Sequence, residues 1–256
     1  MLLGLLFLLW LIVAPLLIFG ASIGGMRSRY RMVIRLTPLF CRSVARCCGI
    51  RVQVVGTVDP DTLLFVGNHV SWLDILTAGA AIGGVFVSRH DVANWPVLGI
   101  FARLAGTVFI DRTSLRSAVA SSRAMVERVA IGIPVVFFPE GRAGDGAEVA
   151  PFKAFLFGGI VEEGTSVQPF TIDYTTIGRT PVTPENRDLV YWYRPDQDFL
   201  LHAWRLLSLR SVTCNVRMHP PHLPSADDDK REAARRFSVE LRKVVASGVP
   251  VWGEEK

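Results

Sequence analysis

The stretch that decides the fold is Leu63-Leu64-Phe65-Val66-Gly67-Asn68-His69-Val70-Ser71-Trp72-Leu73-Asp74. Its apolar run Leu63–Val66 predicts a short buried strand, and the residues Ser71–Ala81 predict a helix. A polar turn that contains His69 therefore lies between the end of a strand and the start of a helix. In α/β folds this edge of the sheet is the usual place for a ligand.

The alternation of strand and helix continues along the chain. Further strands are predicted at Val85–Val87, Thr107–Ile110, Pro134–Phe138, Val167–Ile172, Val190–Tyr193 and Val212–Val216. Further helices are predicted at Trp95–Leu104, Leu115–Ala130 and Asp228–Val245. Such alternation favours an α/β fold with a largely parallel sheet flanked by helices.

The N-terminal segment is apolar, since no charged side chain occurs before Arg27. Roughly 20 apolar residues in a helix span the hydrocarbon core of a bilayer, so this segment predicts an N-terminal membrane helix, either spanning or re-entrant. A cleaved secretory signal would carry basic residues before the apolar run and a small-residue cleavage site after it, and neither is evident. We divide the chain into a hydrophobic anchor with a basic amphipathic helix, residues 1–50, and a globular domain, residues 51–256.

Positive charge is concentrated beside the apolar segment. Seven arginines occur between residues 27 and 51, the first acidic residue is Asp59, and the chain carries a net charge of +5, so its globular part is slightly acidic. A nucleic-acid-binding domain usually carries its own basic face, and we expect no nucleic acid among the partners. The arginines favour anionic membrane lipids. By the positive-inside tendency, they place the globular part on the cytoplasmic side of a membrane.

A basic helix is predicted over residues 28–50, because apolar residues recur there at a spacing of three or four. Two interpretations of this helix stay open. It lies on the membrane surface, or it packs its apolar face against the globular part of the chain.

His69 and Asp74 are the first candidate pair for catalysis. The Asp74 carboxylate could accept a hydrogen bond from one imidazole nitrogen of His69, which leaves the other nitrogen free to take a proton from a hydroxyl. Positions five apart do not share a face of a continuous helix, so His69 must lie in the turn before the helix. The alternative is a helix cap, because Ser71-x-x-Asp74 also matches the spacing of a capping box.

Two further predicted strands end in charged residues. One leads into Asp111-Arg112, and the guanidinium of Arg is suited to phosphate. The other leads into Glu140-Gly141-Arg142, where Gly permits close approach of a substrate. Each could be only a charged turn or a surface ion pair, but three successive strand ends with His/Asp, Asp/Arg and Glu/Arg favour one shared site.

In this order, the three strand ends resemble the family of glycerolipid acyltransferases that includes 1-acylglycerol-3-phosphate acyltransferase. The family's first block, Asn-His-x-x-x-x-Asp, is matched by Asn68, His69 and Asp74. Its second block, Gly-x-x-Phe-Ile-Asp-Arg, is matched by residues 106–112, and its third, Phe-Pro-Glu-Gly, by residues 138–141. An apolar fourth block with a proline resembles residues 167–170, so the resemblance extends over about residues 60 to 175.

The resemblance implies that residues 51–256 are an acyltransferase domain with a catalytic His69 oriented by Asp74. The implied substrate-binding residues are Arg89, Arg112, Glu140, Gly141 and Arg142. Two departures from the family pattern concern phosphate binding. Arg142 follows Gly141 directly, where members usually have Thr or Val first. Arg89 stands where many members carry a Lys, and it can bind phosphate bidentately but cannot exchange a proton.

The implied reaction moves a fatty acyl group from an acyl thioester, either acyl-CoA or acyl carrier protein, to a lysophospholipid. The expected acceptor is the free hydroxyl of 1-acylglycerol 3-phosphate, which gives phosphatidic acid in phospholipid biosynthesis. Neither a metal nor a cofactor is implied. The alternatives are another acceptor such as lyso-ornithine lipid, hydrolysis of the thioester, and a catalytically silent lipid-binding membrane protein.

Overall fold

The computed structural model describes residues 2–94, 98–110, 115–225 and 229–250. Within these ranges the chain forms one sheet of eight strands. The strands are β1 (Ile50–Val55), β2 (Leu64–Gly67), β3 (Val85–Arg89), β4 (Val108–Ile110), β5 (Val135–Phe137), β6 (Gln168–Ile177), β7 (Thr180–Pro181) and β8 (Val212–Met218).

The strand order is β1-β8-β6-β2-β5-β3-β4, and β7 pairs with β6 outside this path. The strands from β6 to β4 in this order run parallel to one another. Strand β8 is antiparallel to β6, and β1 is parallel to β8. The predicted α/β fold with a largely parallel sheet is therefore confirmed.

Helices cover both faces of this sheet. They are α1 (Leu2–Ile23), α2 (Met26–Cys47), α3 (Asp74–Ala81), α4 (Leu98–Leu104), α5 (Leu115–Ala130), α6 (Gly158–Glu162), α7 (Phe199–Leu207) and α8 (Lys230–Ala246). Short 3₁₀ turns lie at His90–Asn94, Ala154–Phe157 and Arg187–Leu189.

The position of β2 inside the sheet explains why its residues are apolar without interruption. Successive side chains of a strand point to opposite faces of the sheet. Leu64 and Val66 enter the apolar core shared with α5 and α8, whereas Phe65 enters the core shared with α3 and α7. A strand that is buried on both faces carries no polar alternation, and its carboxyl end is fixed in the middle of the domain.

Two segments differ from the strand predictions. Val190–Tyr193 is not a strand; the carbonyl of Val190 accepts a hydrogen bond from the Ser71 hydroxyl, and the amide of Trp192 donates to the Val70 carbonyl. The apolar character of Val190 and Tyr191 reflects burial beside the His69 turn, not pairing in the sheet. Strand β1, which was not predicted, is the edge strand that pairs with β8.

The N-terminal segment folds as a helical hairpin on the body of the protein. Gly25 takes a φ of 86° between α1 and α2, and Trp10 of α1 contacts Phe40 of α2 edge-to-face at 5.5 Å. Helix α2 buries Val33 in one core and Val44 in the other. Of the two interpretations of the basic helix, packing against the globular part is thus confirmed.

Across the residues that the structure describes, none of the helices combines the length and the apolarity of a bilayer span. The spanning form of the predicted N-terminal membrane helix is thus not found among these residues, and the re-entrant form stays a prediction. The predicted helix Trp95–Leu104 is found from Leu98 onward, while residues 95–97 lie outside the described residues.

Asn68 joins β2 to β6 beyond the end of their ladder. Its side-chain amide donates to the Ile172 carbonyl at 3.0 Å and accepts from the Ile172 amide at 2.7 Å. Asn68 is buried, so both backbone groups of Ile172 depend on this one side chain.

We expect Asn68→Ala to lower the free energy of unfolding by about 2–4 kcal/mol, because two buried backbone groups lose their partner. Urea unfolding monitored by circular dichroism measures the change. Asn94→Ala, at an exposed position, is the matched control, and equal losses in the two variants would contradict the bridging role.

Candidate active site

The His69 side chain lies in the turn between β2 and α3, as its spacing from Asp74 requires. The Nδ1 atom of His69 lies 2.7 Å from Oδ2 of Asp74. A carboxylate can only accept this bond, so Nδ1 carries the hydrogen and Nε2 keeps its lone pair in the neutral ring. The side chain of His69 is 21% exposed and that of Asp74 is fully buried, so the base is open to a substrate while its orienting group is not.

Asp74 both orients His69 and caps the turn. Its Oδ2 atom also accepts the backbone amides of Val70 at 2.7 Å and Ser71 at 2.9 Å. Its Oδ1 atom accepts the hydroxyl of Tyr174 at 2.8 Å. The two interpretations of the sequence, a catalytic orienter and a cap, therefore describe the same carboxylate.

Glu140 holds the other side of the His69 turn. Its Oε1 atom accepts the backbone amide of His69 at 2.6 Å, and its Oε2 atom accepts the amide of Ala150 at 2.7 Å. Both oxygens are thus used by the backbone, and the residue is buried. Glu140 therefore holds the residues after β5 against the turn after β2. A direct contact of Glu140 with substrate stays a prediction.

The pKa of Glu140 is raised to about 7. Burial is the main cause, since it disfavours the carboxylate. The two backbone amides oppose the shift, and the nearby Asp74 adds to it. Glu140 consequently changes charge near neutral pH, directly beside the catalytic turn.

The residues after β5 complete the wall of the site. The ring of Phe138 stacks on the imidazole of His69 with 4.7 Å between centroids. Gly141 takes a φ of 84°, which other residues rarely adopt, and the amide of Gly144 donates to the His69 carbonyl at 2.8 Å. The predicted meeting of the first and third strand ends is therefore observed.

The predicted phosphate-binding arginines are not gathered in the same way. Arg89, at the end of β3, forms a two-pronged ion pair with Asp91 at 2.9 and 2.8 Å. Arg142 is exposed. Asp111 and Arg112 lie outside the described residues. Phosphate binding by Arg89, Arg112 and Arg142 stays a prediction, and at Arg89 the Nε atom and one Nη atom are already occupied by Asp91.

Sequence reasoning missed the tyrosine of this site. Tyr174 lies on β6, is buried, and is a hydrogen-bond partner of Asp74. Burial and the adjacent carboxylate of Asp74 raise the pKa of its hydroxyl well above the ordinary value, so it remains a donor. The only signal in the sequence is a tyrosine within an otherwise threonine-rich strand, and that does not indicate a partner.

The histidines of the His219-Pro-Pro-His222 segment contact other parts of the fold. Nε2 of His219 lies 2.8 Å from the Thr171 hydroxyl. Nδ1 of His222 lies 2.7 Å from the Glu240 carboxylate. Both histidines therefore fasten the region after β8 to its neighbours.

Comparisons with known proteins identify the family of this chain. The family model for Acyltransferase matches residues 51–173. A lyso-ornithine lipid O-acyltransferase from Rhodobacter capsulatus is 36% identical over 81% of this chain and 74% of its own length. A 1-acyl-sn-glycerol-3-phosphate acyltransferase from Neisseria gonorrhoeae is 30% identical over 91% of this chain and 88% of its own.

The fold has a counterpart among solved structures. The crystal structure of PlsC, the 1-acyl-sn-glycerophosphate (LPA) acyltransferase from Thermotoga maritima, matches with a TM-score of 0.65. The match covers 99% of this chain and 95% of the other at 18% identity. The matched family model and these relatives show that the chain is an O-acyltransferase. The chain belongs to the Acyltransferase family.

The raised pKa of Glu140 predicts a pH-dependent stability. An unfolded glutamate titrates near 4.5 and folded Glu140 at about 7, so between these values the folded state binds more protons than the unfolded state. The free energy of unfolding should then fall as pH rises through this window, by at most about 1.4 kcal/mol per pH unit. In Glu140→Gln this contribution should disappear.

Urea unfolding at several pH values between about 4.5 and 7 measures the difference between wild type and Glu140→Gln. The exposed Glu148, changed to Gln, is the control and should leave the pH profile unchanged. Parallel profiles for wild type and Glu140→Gln would contradict a raised pKa at Glu140.

Proposed function

We propose that the chain transfers a fatty acyl group from an acyl thioester to the free hydroxyl of a membrane lysolipid, with His69 as the general base. The observation that carries the proposal is the arrangement of His69, whose Nδ1 is held by the buried Asp74 while its ring remains accessible. Membership of the Acyltransferase family supports the reaction class.

Proton transfer is the first part of the mechanism. Nε2 of His69 removes the proton from the acceptor hydroxyl as the oxygen attacks the thioester carbonyl. Asp74 stabilises the imidazolium that forms, and the Tyr174 hydroxyl fixes Asp74 from behind. The stack of Phe138 on the ring keeps the imidazole in one orientation.

The second part of the mechanism is the stabilisation of the negative charge on the attacked carbonyl oxygen. Donors of the 138–142 turn would stabilise this oxyanion, a contribution often worth about 3 kcal/mol per donor. The thiolate needs no strong acid to leave, because thiols have pKa values of about 8.5. The reaction is a direct transfer, and neither a Ser nor a Cys nucleophile is invoked.

Two acceptors are supported by different observations. For 1-acylglycerol 3-phosphate, the support is the complete Gly106–Arg112 block and the relative from Neisseria gonorrhoeae that covers 91% of this chain. For lyso-ornithine lipid, the support is the higher identity of the Rhodobacter capsulatus relative. The engagement of Arg89 by Asp91 also weakens one expected phosphate contact. An assay on both lysolipids with acyl-CoA and acyl carrier protein decides the acceptor and the donor.

Membrane attachment is proposed to occur through the N-terminal hairpin. Exposed apolar residues of α1 recur at a helical spacing, namely Ile12, Leu16, Phe19 and Ile23. Exposed arginines form a stripe along α2, namely Arg27, Arg31, Arg35, Arg42 and Arg46. An apolar stripe beside a cationic one is suited to a helix pair that lies in the headgroup region of an anionic leaflet, with the catalytic body on the cytoplasmic side.

His69→Ala should lower the rate of acyl transfer by about a hundred- to ten-thousandfold, the usual contribution of a general base. Asp74→Asn should lose less, because it disturbs the orientation of the base and not the base itself. Initial rates of purified protein in detergent, with thermal melting as the check on folding, measure both effects. His90→Ala is the control; near-wild-type turnover in His69→Ala would overturn the mechanism.

Replacing Arg31 and Arg35 with Gln should weaken binding to phosphatidylglycerol vesicles by roughly thirtyfold at low salt, since each arginine contributes about 1 kcal/mol. Co-sedimentation at low and high salt measures the change, and the difference should shrink at high salt. Replacing Lys230 and Arg231 of α8 with Gln is the control. A loss as large in the control would mean that net charge, and not the α2 stripe, governs binding.

A further inference from the structure

Helix α7 carries an apolar face that no other described element covers. Leu200 and Trp204 are 75% and 74% exposed, and Leu201 and Leu207 are also exposed. Leu200, Trp204 and Leu207 are spaced four and three apart and therefore lie on one side of the helix. The opposite side is buried through His202 and Leu206. The helix is held firmly by one face while it presents large apolar side chains on the other.

We propose that this face of α7, formed by Leu200, Leu201, Trp204 and Leu207, is a second membrane-docking surface that enters the interface of an anionic leaflet. Leucine and tryptophan on one side of a short helix are typical of segments that lie in a membrane interface. Tryptophan is enriched at that depth because its ring is amphipathic.

Charges of both signs surround the face, and two of its cations have no ionic partner among the described residues. Within the described part of the chain, Arg205 and Arg210 form no ion pair. The neighbouring acids are already engaged: Arg194 pairs with Asp188 at 3.0 Å and approaches Asp196 at 3.8 Å, and Asp198 caps the start of α7. Arg205 and Arg210 are therefore available to a headgroup, while the carboxylates of Asp196 and Asp198 remain nearby as negative charges.

The segment that follows α7 lies beside the end of α2. The amide of Val212, just after α7, donates to the carbonyl of Gly49 at 3.0 Å, and a side chain at Gly49 would meet the Arg210 carbonyl at 3.2 Å. The exposed Arg46, at the end of the α2 stripe, therefore lies at the same corner as Arg210. The segment after α7 thus adjoins the end of the cationic surface already proposed to face the membrane.

A second copy of the chain is the less suitable occupant. A stable dimer buries about 800 Å² on each partner, whereas this helix has nine residues and offers four apolar side chains. A bilayer sets no minimum area of this kind, because each apolar side chain that enters it contributes separately.

The helix is also tied to the catalytic turn. Nε1 of Trp72 donates to Nδ1 of His202 at 3.1 Å, and the rings of Trp72 and Phe199 meet edge-to-face at 5.4 Å. Trp72 lies three residues after His69. Docking of α7 would bring the site beside the leaflet that holds its lipid acceptor; this consequence rests on the proposed function, whereas docking itself does not.

The test uses the full chain and vesicles of phosphatidylcholine with and without phosphatidylglycerol. Brominated acyl chains quench tryptophans that enter the bilayer, and the signal lost in Trp204→Phe isolates the contribution of Trp204. We expect strong quenching of that contribution in anionic vesicles. The double variant Leu200→Ser/Trp204→Ser should bind roughly tenfold more weakly, as two large apolar groups leave the interface.

Leu223→Ser is the matched control, because Leu223 is 68% exposed outside α7, and it should bind as wild type does. Thermal melting confirms that each variant is folded. If the Trp204 contribution is not quenched, the proposal is overturned, whatever the binding strength. A lipid-independent dimer in light scattering that Trp204→Ser dissolves would overturn it in favour of a second copy. Because no acyl transfer is measured, failure here is separate from failure of the proposed reaction.

Discussion

The buried carboxylate of Asp74 is the interaction on which the site depends. It gathers the His69 ring, two backbone amides of the turn and the Tyr174 hydroxyl, so a negative charge without solvent is satisfied by four donors. A buried charge is tolerated only when such partners surround it. Removing the carboxylate would therefore loosen the turn, the start of α3 and the contact with β6 together. Catalytic geometry and local stability arise from the same group.

Glu140 is a second buried acid, and it joins the ends of two strands. Its two oxygens hold the amides of His69 and Ala150, so the ends of β2 and β5 are joined by a side chain where the sheet hydrogen bonds stop. Burial raises the pKa of Glu140 to about 7, so the charge of this carboxylate changes near neutral pH. The site is thus built on two buried acids with different duties: one orients the base, and the other closes the turn around it.

Much of this was accessible from the sequence, for a physical reason. Asn68, His69 and Asp74 follow a strand that is apolar throughout, and their local spacing fixes their relation. Tyr174 could not be found, because it meets Asp74 only through the pairing of β6 with β2. Val190–Tyr193 was mistaken for a strand because burial beside a turn leaves the same apolar pattern as a sheet. The contacts of the arginines were harder still to predict from the sequence, since a guanidinium on a long exposed side chain can pair locally, as Arg89 does with Asp91.

The pairing of β1 with β8 has a consequence for how the chain is made. Helix α2 and β1 are synthesised well before β8, which among the described residues is the strand that pairs with β1. Buried residues of α2, such as Val33 and Val44, belong to two apolar cores that are complete only when β8 and α8 have been made. Contacts between distant segments also form slowly. We expect the growing chain to need shelter for this segment until β8 arrives, from a chaperone or from the membrane surface that its arginines attract.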